Sequence, residues 1–96
     1  MKVDIRRSTN SNKKLMAIFN DDSGKKIKTV HFGASGMSDY TKHKDDERKK
    51  LYLARHKKNE NWNNYMTPGS LSRWVLWEYK SLHEAIRKYK QKFNLL

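Results

Sequence analysis

The chain has 96 residues, a net charge of +12 and a hydrophobic fraction of 35%, which leaves room for one domain, residues 1–96, with a single modest core. With no cysteine there is no disulfide framework and no thiolate metal site, as fits synthesis in a reducing, intracellular compartment. No apolar run nears the roughly 20 residues that span a bilayer, and the first residues hold no signal-peptide core, so no membrane insertion is expected, only surface attraction to anionic lipid.

Charge this high leans toward disorder when read alone, but 11% aromatic residues, three of them Trp, and clear periodic segments argue for a folded domain with basic edges. In residues 2–7, Val3 and Ile5 alternate with polar neighbours, the period of a half-buried strand. Asn10-Ser11-Asn12 is turn chemistry, and residues 14–19 (KLMAIF) form an apolar run suited to a buried strand. Asp21-Asp22-Ser23-Gly24 signals a hairpin, after which residues 25–32 (KKIKTVHF) return as a β-branched strand. These segments predict a three-stranded antiparallel meander with one face needing cover.

Residues 33–40 (GASGMSDY) read as a loop. One helix is then expected from about Thr41 to Lys58, with Asp45, Asp46 and Glu47 near its positive end and a narrow stripe of Leu51, Tyr52 and Ala54. Residues 59–65 form a polar linker around Trp62. Thr67-Pro68-Gly69 opens the next helix, with Thr as N-cap and Pro at the first helical position. That helix is apolar nearly all round. Ser81-Leu82-His83-Glu84 is a capping box, and Leu82, Ala85, Ile86, Tyr89 and Phe93 recur on one face of a final amphipathic helix. The fold class is therefore α+β, a small antiparallel sheet packed against about three helices. Val30, Phe32, Leu51, Leu71, Trp74, Val75, Ile86, Tyr89 and Phe93 are expected in or near its core.

Cationic excess recurs in residues 1–20, 37–58 and 81–96, whereas residues 59–80, which hold all three Trp, are neutral. Between Lys42 and Lys58 eight Lys/Arg residues fall on one predicted helix. Such a surface repels itself unless something negative sits against it. The expected contacts to nucleic acid or another polyanion are Lys42, Lys44, Arg48, Lys49, Lys50, Arg55, Lys57 and Lys58, joined by Arg87, Lys88 and Lys90. Trp62 is either a lid on the core or an aromatic contact to bases. Trp74 and Trp77 share a spacing with Leu71 that marks core.

Other motifs read plainly. His31, His43, His56 and His83 lack metal-ligand spacing and read as ordinary surface or core-edge histidines. Gly33-Ala34-Ser35-Gly36 lacks the ending and glycine spacing of a nucleotide loop and reads as a connection, or in a weaker functional version as a holder of one phosphate of a polymer. Asp39, Asp45, Asp46 and Glu47 read as helix-start and ion-pair residues. No nucleophile is flanked by a base, so no enzyme, catalytic residue, metal or cofactor is expected.

The stretch from Lys28 to Asn94 carries five particular strings: HFG at His31–Gly33, SDYT at Ser38–Thr41, HKD at His43–Asp45, RH at Arg55–His56 and LSRW at Leu71–Trp74. On these it resembles a family of small uncharacterised proteins encoded by large DNA viruses of algae and amoebae. The resemblance implies no activity, but it implies a setting, the virion, with the host cytoplasm or nucleus during assembly. In that setting a basic, genome-associated protein binding duplex DNA is expected. The rival is a minor capsid protein that cements larger shell subunits, such as the major capsid protein, through protein–protein contacts; an acidic protein surface is the alternative partner to nucleic acid. The motif residues Ser38, Asp39, His43, Asp45 and Arg55 either contact the partner or fix the loop onto the helix.

Overall fold

The computed structural model describes residues 1–96. Strands β1 (Lys2–Arg7), β2 (Lys13–Asn20) and β3 (Lys26–Ala34) form an antiparallel sheet in the order β1-β2-β3. Register opposes Val3 to Phe19, Ile5 to Ala17, Ala17 to Val30 and Leu15 to Phe32, so the period-two apolar residues of all three strands share one face. The hairpin between β2 and β3 closes where predicted. Asp21 Oδ1 accepts from the Ser23 and Lys25 N–H groups, and Gly24 takes the positive φ of 88° that the turn requires. The chain's last residues close the outer edge of β1. Val3 N–H donates to Leu96 O and Leu96 N–H to Met1 O, each at 3.0 Å, which removes an exposed edge.

The apolar face is covered by two helical elements. Thr67 caps α3 (Pro68–Leu71), its hydroxyl accepting from Ser70 N–H, with Pro68 in the first turn as predicted. The helix then widens into a π turn, Ser72–Leu76, in which Trp77 N–H reaches back to Ser72 O. Ser81 caps the final helix, here α4 (Leu82–Lys92), by accepting from Glu84 N–H. Only half of the expected capping box forms, because the Glu84 carboxylate pairs with Arg87 on the next turn instead of returning to Ser81. Val3, Ala17, Phe19, Val30 and Phe32 from the sheet meet Leu71, Val75, Leu76, Tyr89 and Leu95 in one buried cluster. The fold is α+β, as the sequence patterns predict, with short helices α1 and α2 described next.

Three expectations are corrected. The cationic segment is two helices, α1 (Tyr40–His43) and α2 (Asp46–His56), followed by a 3-10 turn at Lys57–Asn59. Lys44 sits between them at φ 54°, a left-handed conformation that an unbroken helix forbids. Asp39 and Asp45 each act as an N-cap, so the chain starts a helix twice. Leu51 is not core: it is 56% exposed, while its neighbour Tyr52 is buried. Successive helical residues are about 100° apart, and Tyr52 rather than Leu51 occupies the inward phase. Trp74 and Trp77 are half-buried lids packed against the core instead of members of it. No helix is long and apolar enough to cross a membrane.

Candidate polyanion-binding surface

Helix α2 is fixed by aromatic stacking more than by aliphatic packing. Tyr52 lies parallel to Trp77 with ring centroids 4.1 Å apart and stacks on His56 at 4.3 Å. His43 continues the row, 5.3 Å from Trp77, and Tyr40 lies beyond it. Burial pushes the Tyr52 phenol up to about 12. The Tyr40 hydroxyl donates to Asp46, which pushes Tyr40 up to about 12 and holds the Asp46 carboxyl below its ordinary range. This row ties α1, α2 and the π turn into one body and sets which side of α2 faces out.

The motif polar residues divide by role. Asp39 is 1% exposed; it accepts from Lys14 Nζ at 2.6 Å and from the N–H and hydroxyl of Thr41. His43 Nδ1 accepts from Asp45 N–H, and Asp45 in turn caps α2 through the Glu47 and Arg48 N–H groups. These three residues therefore fix the loop onto the helices. Arg55 forms no hydrogen bond or ion pair and is exposed, so it is available to a partner.

Among the expected cationic contacts, Lys42, Lys44, Arg48, Lys50, Arg55, Lys57 and Lys58 are all exposed. None of these seven meets a carboxylate. Lys44 does return its ammonium to Thr41 O at 3.3 Å. Lys49 is withdrawn from the set, because it points inward, donating to Glu78 O at 2.9 Å and lying 5.0 Å from the centre of the Tyr40 ring. Glu78 also holds Arg73, so one acid of the neutral block neutralises two cations. On α4, Arg87 is exposed but paired with Glu84, while Lys88 and Lys90 are half-buried. No hydrogen bond or ion pair links α4 to α2, so the two basic segments stand as separate groups.

Trp62 is integrated into the scaffold. Its indole N–H donates to Glu60, its carbonyl accepts from Ser70 and Trp74, and Arg73 stands 4.9 Å from its ring centre. Arg73 is also 4.2 Å from the centre of Trp74, which Lys92 covers from 4.5 Å.

The sequence reading missed a second basic group formed by chain segments far apart. Ser35 N–H donates to Asn12 O and Ser35 Oγ to Ser11 O, which stitches the 33–39 loop to the β1–β2 turn. Between them lies a cleft of about 720 Å³, with Arg7, Lys13, Lys14 and Lys42 in its lining. It adjoins a smaller one of about 340 Å³ that shares Lys13, Lys14 and Ser38 and reaches Arg55 and His56 on α2. The only sequence signal was the run of turn residues at each end of the pairing.

A family model matches residues 3–56, which takes in the sheet from Val3 onward, the loop, α1 and α2. No curated protein and no solved structure matches the chain. With more than half of its length matched, the chain belongs to the family of unknown function DUF5754.

Proposed function

We propose that this is a non-enzymatic protein that binds nucleic acid, duplex DNA above all, by its phosphate backbone, as a genome-associated component of a virus particle. One observation carries the binding. Of the 22 Lys/Arg residues, only Arg6, Lys14, Lys49, Arg73 and Arg87 form ion pairs, and seven of the unpaired ones lie on α1, α2 and their flanks. The stacked Tyr52–Trp77 pair anchors the helix that carries them, so binding has to order their side chains but not the backbone beneath. Phosphate contacts position a protein without reading sequence, so binding is weakly sequence-specific. The viral setting rests on the resemblance carried by the HFG, SDYT, HKD, RH and LSRW strings.

Salt titration tests the binding. Replacing Lys50, Arg55 and Lys58 together by Ala should lower the slope of log affinity for duplex DNA against log salt by about 2.7, at about 0.9 per phosphate contact. A salt-independent affinity, or an unchanged slope in the triple variant, refutes it. The setting is tested in particles: the protein should leave with the genome. Retention on shells emptied of nucleic acid would identify it instead as a component bound to the major capsid protein.

A further inference from the structure

The cleft between the β1–β2 turn and the 33–39 loop has a chemistry of its own. Arg7, Lys13 and Lys42 line it, all exposed and none engaged by a carboxylate. The acid present, Asp39, is 1% exposed and already neutralised by Lys14, so it does not oppose an entering anion. Hydrogen-bond donors accompany the charge. The hydroxyls of Ser11 and Ser38 and the backbone N–H groups of Gly36 and Ser38 make no bond within the protein. Gly36 stands at φ 82° with nothing within 4 Å of where a Cβ would be, so an anion can approach the backbone closely there.

Aliphatic side chains share the lining: Leu15, Met37, Leu76 and Leu82. Met37 is 66% exposed and Leu82 37% exposed, apolar surface left open beside the cations. A volume of about 720 Å³ lies within the range of small-ligand sites, about 300–1,000 Å³. A site that brings three unpaired cations together with aliphatic side chains fits a ligand that joins a dianion to an apolar-faced group. A phosphomonoester carries about −1.5 to −2 at neutral pH, whereas an internal phosphodiester carries a single charge and leaves most of the cation set unmatched.

We propose that this cleft binds the phosphomonoester of a nucleotide, either free or as the 5′ end of a strand, with the phosphate among Arg7, Lys13, Lys42 and the 36–38 backbone and the base against Met37 and Leu82. The site shares Lys42 with the cations proposed for duplex binding, but Arg7, Lys13 and the 36–38 backbone lie outside that group.

The test uses the full chain and two probes, a short single-stranded oligonucleotide with or without a 5′-phosphate, and a nucleoside monophosphate beside its nucleoside. In fluorescence anisotropy at fixed salt, the 5′-phosphate should raise strand affinity about tenfold, the scale of hydrogen bonds to a charged group. The double variant R7A/K13A should reduce that gain to within about twofold, whereas K25A/K26A, which removes the same charge from exposed positions at the β2–β3 hairpin, should leave it intact. Displacement of the phosphorylated strand by nucleoside monophosphate, but not by nucleoside, assigns the site to a free nucleotide. A strand-end gain that the monophosphate does not displace assigns it to strand ends. The proposal is overturned if neither probe gains from its phosphate, if the gain survives R7A/K13A, or if K25A/K26A abolishes it equally. Duplex affinity measured in parallel separates this failure from that of the α2 surface.

Discussion

Replacing Asp39 isolates the interaction that anchors the loop to the sheet. Its side chain is 2% exposed and that of Lys14 15%, so the pair is nearly dry. Removing one member of a buried pair costs about 3–5 kcal/mol, because the other charge stays behind without compensation. Lys14 keeps a little solvent access, which places Asp39→Ala at the lower end. Loss of the cap on α1 adds about 1 kcal/mol, for an expected total of about 3–4 kcal/mol. The whole chain is stable by about 5–14 kcal/mol at typical values per residue, so this variant loses a large fraction, and its Tm should fall by about 15–20 °C. Asp39→Asn preserves the cap, because an amide oxygen also accepts from Thr41 N–H, and should cost about 2–3 kcal/mol. Lys14→Met leaves Asp39 held only by Thr41 and should cost a similar amount. In the double variant K14M/D39N neither charge remains, and the two costs should fall short of their sum by about 1–2 kcal/mol. Urea unfolding of the four proteins measures all of these. A cost below about 1 kcal/mol for Asp39→Ala, or strict additivity in the double variant, would refute the pair as an anchor.

Helix phase gives a second test. Tyr52→Ala should cost about 3–5 kcal/mol by removing the ring between His56 and Trp77, while Leu51→Ala should change stability by less than about 0.5 kcal/mol; the reverse order in urea melts would mean that α2 is rotated. Gly33→Ala combines a positive φ of 79° with a Cβ 2.7 Å from Leu76 Cδ1, and should cost about 2–4 kcal/mol, against about 1 kcal/mol for Gly24→Ala, where the space is open. Tyr40, Tyr52 and Tyr89 all have folded-state pKa values above the ordinary 10.0, Tyr40 through its bond to Asp46 and the other two through burial. Their contribution is therefore complete below pH 10 and is lost as pH rises toward 12, where the unfolded chain releases protons that the folded chain keeps. Unfolding free energy measured across that window should decline, and tyrosinate absorbance should rise together with unfolding; ionisation of all five tyrosines while the fold persists would contradict the assignment.

The sheet was readable because each strand needs only a period of two and a turn signal, and Asp21–Gly24 supplies a turn with a mechanism. Thr67-Pro68 and Ser81 were readable for the same reason, since a cap is a local event. Helix phase in the cationic segment was not. Leu51 and Tyr52 are adjacent, one apolar seam fits either, and the choice is made by Trp77, which lies 25 positions further on in sequence. The break at Lys44 left a trace in the two caps, Asp39 and Asp45, but the run of charges between them looks like one helix. The cleft was only partly legible. The β2–β3 register sets Lys13 opposite Ala34 and so brings the residues after β3 beside the β1–β2 turn, but the path that carries Ser38 and Lys42 over that end belongs to the loop, and no period or spacing encodes it.

The family match and the core boundary do not coincide, and this has a consequence for folding. Residues 3–56 contain the sheet from Val3 onward and the cationic helices, yet the cover of the sheet comes from Leu71, Val75, Leu76, Tyr89 and Leu95. Burial of five such side chains stabilises by about 1.5–3 kcal/mol each, together about as much as the net stability of a domain this size. Within residues 1–58 the buried helical side chains are Tyr40 and Tyr52, neither of them in that cluster, and the stacking partner of Tyr52, Trp77, would also be missing. A fragment of residues 1–58 should therefore lack a cooperative urea transition and show no lasting amide protection in β2, and adding residues 59–96 as a separate peptide should restore both. A cooperative transition in the fragment alone would mean that the sheet holds its apolar face by some means other than α3, the π turn and α4, and that α2 can be displayed without them.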